Sequence, residues 1–135
     1  MNTIGRLTDE KRTVQAVTVT ERAIDQYAPM GRVLSERQCF VGGCAGTAYT
    51  LTHSYDVAGN VTGSNNGMSN ANAVTLGYAY DGAGHLQSVS SSLNDAEHPE
   101  VLFQATQYRA IGLTQAGYAL PSASGTPAFI WRTFN

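Results

Sequence analysis

The sequence predicts an all-β chain of repeated antiparallel β-hairpins stacked into a curved or spiral sheet. Three observations predict it. A short motif recurs with a period of about 26 residues, alternating apolar and polar residues lead into its clearest copies, and no apolar stripe of helical period runs along the chain. Frequent glycine and β-branched residues weaken a helical reading further.

The clearest copies read Tyr55-Asp56-Val57-Ala58-Gly59-Asn60-Val61-Thr62 and Tyr80-Asp81-Gly82-Ala83-Gly84-His85-Leu86-Gln87. Weaker copies flank them: Tyr27-Ala28-Pro29-Met30-Gly31-Arg32-Val33-Leu34 upstream and Tyr108-Arg109-Ala110-Ile111-Gly112-Leu113-Thr114 downstream, the latter with one position missing or shifted. The N-terminal Met1-Asn2-Thr3-Ile4-Gly5-Arg6-Leu7-Thr8 has the second half of the motif without the tyrosine. Glycine marks therefore fall at 5, 31, 59, 84 and 112, at spacings of 26, 28, 25 and 28. Phe134-Asn135 stands 26 residues after Tyr108, where the next aromatic-polar pair is due, so the chain is expected to begin and end inside a repeat.

Each clear copy ends an alternating run. Tyr49, Leu51, His53 and Tyr55 share one face, and Thr50, Thr52, Ser54 and Asp56 the other. Val74, Leu76, Tyr78 and Tyr80 repeat the arrangement against Thr75, Gly77, Ala79 and Asp81. That period of two predicts half-buried strands. The following Asp-x-x-Gly suits a type I turn with the carboxylate of Asp56 or Asp81 capping nearby N–H groups. Gly31, Gly59, Gly84 and Gly112 are the expected turn glycines, each at the left-handed position that makes a G1 bulge. The unit is strand, tight turn, strand.

Tyr27, Tyr55, Tyr80 and Tyr108 are expected to form a ladder. Each ring stacks on its counterpart in a neighbouring hairpin while the hydroxyl reaches a backbone group or water. Residues 63–70 and 90–95 read as polar loops, and residues 14–20, 101–108 and 128–134 as strands. Residues 21–26 admit a helical turn, but the repeat register favours strand.

Charged residues make up only 13% of the 135, which is uncommon in a cytosolic enzyme and suits extracellular repetitive β-structure. Net charge is −2, Lys11 is the only lysine and the arginines are scattered, so nothing points to nucleic acid. No stretch is apolar enough to insert in a membrane as a helix, and no leader-like segment opens the chain.

The pattern Tyr-Asp-x-x-Gly-(Asn/Arg)-(Leu/Val)-Thr in these five copies resembles the YD repeat of bacterial Rhs (rearrangement-hotspot) proteins across essentially the whole chain. The resemblance implies one array over residues 1–135, of about five units with partial units at both ends. It also implies membership of a large secreted or cell-surface polypeptide. In polymorphic toxins, insecticidal toxin-complex subunits and the related animal teneurins, such hairpins spiral into a hollow shell. In the toxins that shell encloses a variable C-terminal effector. The partners implied are adjacent repeats of the same polypeptide and such an effector. The copies at Tyr27, which has Ala28-Pro29 for aspartate, and at Tyr108, which has Arg109, depart from the pattern. Neither the family's shell-closing region with its self-cleavage aspartates nor an effector is present.

Other candidates have plain readings. Cys39 and Cys44 enclose two glycines and either close a local disulfide or stay free thiols. Two cysteines make half a zinc site, and His53, His85 and His98 share no ligand spacing, so neither metal nor other cofactor is expected. No serine lies in Gly-x-Ser-x-Gly and no phosphate-binding glycine loop opens a helix, so no enzymatic activity is expected. Two alternatives stand beside the shell segment. One is a surface adhesion or carbohydrate-binding module presenting tyrosines and Trp131 to surface glycans. The other is a functionless piece of a decayed repeat gene. The isolated chain is expected to self-associate or fold marginally, because neighbouring repeats would otherwise cover its edges.

Overall fold

The computed structural model describes residues 5–93, 95, 97–110, 112–121 and 128–134. Residues 1–4 of the first copy, Ile111 of the last, and Asn135 lie outside the described residues. The chain is all-β. Its strands are β1 (Asp9–Val14), β2 (Val17–Tyr27), β3 (Val33–Cys39), β4 (Ala48–Tyr55), β5 (Val61–Asn65), β6 (Thr75–Tyr80), β7 (Leu86–Ser91), β8 (Val101–Arg109), β9 (Gly112–Leu120) and β10 (Ala128–Thr133). Single 3-10 turns lie at Gly43–Ala45 and Asn70–Asn72. Pairing is antiparallel and follows the order of the chain.

The strands fall into two compact units, one of residues 1–54 and 64–73, the other of residues 55–63 and 74–135. In the first unit β1 to β4 form a meander. Glu10, Arg22, Gln38 and Tyr49 lie in one cross-strand row. Buried here are Ala23, Ile24, Cys39 and Glu36, whose carboxylate takes an Arg22 Nε–H at 2.8 Å. In β4 the expected alternation is present: Tyr49, Leu51, His53 and Tyr55 are half-buried, and the residues between them exposed.

The second unit pairs β6 through β10 around Ala116, Thr114 and Ser91. Trp131 lies directly opposite Gly117 on the neighbouring strand, and its ring occupies the space a Cβ at 117 would need. An aromatic ring covering a strand glycine replaces the packing that glycine lacks. Among the described residues few side chains are fully buried, so cross-strand pairs and ladder hydrogen bonds supply much of the stability.

Three sequence readings need correction. Residues 14–20 are not one strand: Gln15 and Ala16 (φ 49° and 64°) form a two-residue turn in which Val14 pairs with Val17. Two left-handed residues in succession match the twist of a hairpin, but neither is the glycine or asparagine that would have announced the turn. The polar stretches 63–70 and 90–95 are partly strand, because β5 runs to Asn65 and β7 to Ser91. Residues 21–26 lie within β2, as the repeat register favoured.

Candidate functional site

The repeated motif supplies the most regular arrangement in the molecule. In turn 56–60 the Asp56 N–H donates to Asn60 O at 3.0 Å, and the Gly59 N–H to Asp56 O at 3.1 Å. Turn 81–85 has the same pair, from Asp81 to His85 O at 2.9 Å and from Gly84 to Asp81 O at 3.0 Å. Turn 28–32 has it again, at 2.8 and 2.9 Å, with alanine in place of aspartate. Gly31, Gly59 and Gly84 are left-handed, with φ of 87°, 99° and 85°. This is a type I turn closed by a bulge, and a side chain at the glycine position would be strained.

The aspartates tighten two of these turns. Asp56 Oδ1 accepts the N–H groups of Gly59 and Asn60 at 2.7 and 2.8 Å, and its Oδ2 accepts Asn60 Nδ2 at 2.8 Å. Asp81 Oδ1 accepts the N–H groups of Ala83 and His85 at 2.8 and 2.9 Å, and its Oδ2 lies 3.0 Å from His85 Nδ1. Both carboxyls are held below the ordinary aspartate range. The Asn60 side chain is the leading cause at Asp56, and the His85 backbone N–H at Asp81.

The tyrosines tie each copy to the one before. The Tyr80 hydroxyl donates to Val61 O at 2.9 Å. The hydroxyl of Tyr108 donates to Leu86 O, and that of Tyr27 to Leu7 O. In all three the acceptor is the aliphatic residue two places after the turn glycine of the preceding copy. Desolvation raises the Tyr108 phenol above its ordinary range. Tyr55 occupies the corresponding end of β4 and is half-buried.

At Tyr27 and Tyr108 the ring lies against a side chain of the preceding copy. Arg6 lies over the Tyr27 ring, its guanidinium carbon 5.2 Å from the centroid, and donates to Ala28 O and Pro29 O at 3.2 Å each. His85 stacks on Tyr108 with centroids 4.5 Å apart and planes 14° from parallel. Arg6 and His85 both follow the turn glycine of the preceding copy. Flat cationic or heteroaromatic side chains suit that place, because they lie against an aromatic face while their own turn is closing. The recurrence of Arg, Arg, Asn and His after the glycine was the available sequence signal for it.

The fourth motif glycine departs from the others. Gly112 (φ 128°) opens β9 and pairs directly with Arg109, so it is a strand residue and not the bulge glycine of a turn. The missing position shortens this hairpin.

Cys39 and Cys44 form a disulfide that clasps the loop to the sheet. Cys39 is buried, the Cys44 N–H donates to Glu21 Oε2 at 2.9 Å, and Gly42 N–H donates to Thr18 O at 3.0 Å. Glu21 also meets Lys11 Nζ at 3.1 Å. The Cys44 N–H is the main reason that the Glu21 carboxyl titrates low. Gly43 is left-handed (φ 69°), which favours glycine, and a Cβ there would also push that carboxylate aside. No local sequence pattern marks Glu21 as the residue that receives this loop.

The other candidates are separate. His53 lies on β4, and His98 Nδ1 sits 2.9 Å from Asp95 in the connection after β7. Among the described residues no three His, Cys, Asp or Glu side chains gather where they could hold a metal ion. The first unit has an open depression of about 310 Å³ lined by Phe40, Tyr49, Leu51, Met68, Gln38 and Asn66. Phe129 and Trp131 lie 5.6 Å apart on β10. No protein-family model matches the chain, and a search of curated proteins finds no similar sequence.

Proposed function

We propose that the chain is a non-catalytic wall segment of a YD-repeat, Rhs-like shell on a secreted or cell-surface protein. Its partners on this reading are adjacent repeats of its own polypeptide and a C-terminal effector enclosed by the shell. The observation that carries the reading is the tyrosine relay. Three hydroxyls each donate to the same backbone position of the preceding copy. A residue spent in that way joins units into an array, as stacked repeats require. The aspartate at the turn serves the same end, because its oxygens are taken up by its own N–H groups.

The test is to sequence the DNA on both sides of the reading frame. Further in-frame Tyr-Asp-x-x-Gly units running toward an unrelated C-terminal domain are the expected result. Flanks with no such unit in any continuous frame would end the shell reading.

A further inference from the structure

Two glycines directly follow an asparagine or an aspartate, in Asn66-Gly67 and Asp81-Gly82. In such a pair the glycine nitrogen can attack the preceding side-chain carbonyl carbon, because no Cβ blocks its approach. The fold treats the two pairs oppositely. Asp81 Oδ1 accepts the N–H groups of Ala83 and His85, and its Oδ2 lies 3.0 Å from His85 Nδ1. Those bonds favour the carboxylate, whose negative charge repels a nucleophile. Asn66 carries a neutral amide and is exposed, immediately after β5.

Two contacts there favour ring closure. The Met68 N–H donates to Asn66 Oδ1 at 3.1 Å, which turns the carboxamide toward the C-terminal side of its residue, where the Gly67 nitrogen lies. That N–H also sits where negative charge develops on Oδ1 when the nitrogen adds. The Gly67 N–H reaches Asn65 Oδ1 at 3.3 Å, a long bond that costs little to release. Asn66 Nδ2 donates to Asn72 O at 2.8 Å, so the end that leaves points away from Met68.

We propose that Asn66 is a spontaneous deamidation site of the folded chain, converting through a cyclic imide with Gly67 to aspartate and isoaspartate. The Gly67 nitrogen gives its proton to solvent and forms a bond to Asn66 Cγ. The Cγ–Nδ2 bond then breaks, and Nδ2 leaves as ammonia with a proton from water. Water next opens the imide. Opening at the side-chain carbonyl gives aspartate, and opening at the main-chain carbonyl routes the chain through the side chain as isoaspartate. Water is the sole co-reactant, and nothing is oxidised or reduced.

The second product has a structural consequence. Gly67 is left-handed (φ 71°), and a Cβ there would stand 3.0 Å from Tyr49 Cβ and 3.3 Å from Leu51 Cδ1. Isoaspartate adds one carbon to the main chain just before this close contact, so Gly67 must shift off β4. The Thr52 N–H, which donates to Asn65 Oδ1 at 2.9 Å, is disturbed with it. Aspartate keeps the chain length and an oxygen for the Met68 N–H, and adds charge alone.

The site lies within the first unit, and the inference does not depend on the shell reading. The experiment ages the 135-residue chain in mildly alkaline buffer, with and without denaturing urea, and maps its peptides by mass and isoaspartate content. Asn66 should convert before any other asparagine, at a native rate within about tenfold of the rate in urea. A native rate more than about tenfold slower would mean that the fold protects the pair, and would overturn the proposal. Earlier conversion of another asparagine, or of Asp81, would overturn it too. Hydrogen exchange then compares the aged isoaspartate fraction with an Asn66→Asp variant. Residues 49–52 should lose protection in the first and keep it in the second, and equal protection would overturn the displacement of Gly67.

Discussion

Turns 28–32, 56–60 and 81–85 close with the same two backbone bonds, whereas three other described connections each use a different device. Residues 15 and 16 turn by left-handed backbone alone. The loop after β3 is clasped by a disulfide and Glu21. After β7 the Ser92 N–H meets Thr75 O, and the Asp95 carboxylate gathers the N–H groups of Glu97 and His98. From tyrosine to aliphatic residue the three motif copies have one constant length: Tyr27 to Val33, Tyr55 to Val61 and Tyr80 to Leu86. The variation in the repeat therefore falls outside these turns. A turn that must present its tyrosine and its acceptor carbonyl in register cannot change length. A connection outside the relay, such as the loop held by Glu21, can.

The disulfide loop gives the sharpest break in that comparison, because its brace is covalent. Cys44→Ser removes the cross-link, and the Glu21 clamp loosens with it. The closed loop is short, with a sequence separation of 5, so chain entropy accounts for about 2 kcal/mol. Urea unfolding of the oxidised wild type and the variant should differ by that amount. Hydrogen exchange should place the loss in β2 and β3 of the first unit, leaving β8 and β9 unchanged. Equal midpoints would mean that the clasp follows the fold and does not brace it.

Removing a motif hydroxyl should have the next largest effect. Tyr80→Phe deletes the donor to Val61 O, and Tyr108→Phe the donor to Leu86 O. Each should cost about 1 kcal/mol in chemical denaturation. Tyr118 is 41% exposed and lies outside the motif, so Tyr118→Phe should fall within about 0.5 kcal/mol of wild type. If all three substitutions had the same effect, the relay would have no special standing.

The same contrast explains what could be read from the sequence. Alternation at Tyr49, Leu51, His53 and Tyr55, and Asp-x-x-Gly after it, are local patterns whose physics is complete within a few residues. They announced β4, β6 and the turns between their hairpins. The turn at Gln15 and Ala16 was illegible because its residues carry no turn signature and its conformation is set by the strands on either side. Arg6 over Tyr27 and His85 on Tyr108 depend on the strand register that brings successive copies side by side. No local pattern contains that register. The Glu21 clamp was hidden for the same reason, since the Cys44 N–H lies 23 residues away in sequence.

Acid should loosen the aspartate turns. The carboxyls of Asp56 and Asp81 titrate below their ordinary value of 3.8 in the folded chain. A depressed folded value means that the stabilisation is present above the unfolded value and is lost as pH falls through the folded one. Between pH 7 and pH 5 these two turns should contribute a constant amount, and below about pH 4 that contribution should decline. Asp56→Asn should flatten the acid limb of the stability profile while leaving the neutral slope unchanged. An acid limb identical to wild type would show that the carboxylate adds nothing beyond what the turn backbone supplies.

The smallest effect, and the finest test of the turns, lies at the copy that lacks aspartate. Turn 28–32 keeps both backbone bonds without a carboxylate, and Arg6 braces its carbonyls from the preceding copy. Ala28→Asp would restore an acceptor at the position from which Asp56 reaches the N–H groups of Gly59 and Asn60. The gain should be about 0.5 kcal/mol, at the low end for a capping carboxylate, because Pro29 already fixes part of the turn. The new carboxylate would serve N–H groups while Arg6 serves carbonyls, so the two braces address different groups. A double-mutant cycle with Arg6→Ala should therefore give a coupling below about 0.5 kcal/mol. A larger coupling would mean that Arg6 already stands in for the missing carboxylate. Turn 28–32 would then be braced from outside, as the loop after β3 is by Glu21, and not from within like its two counterparts.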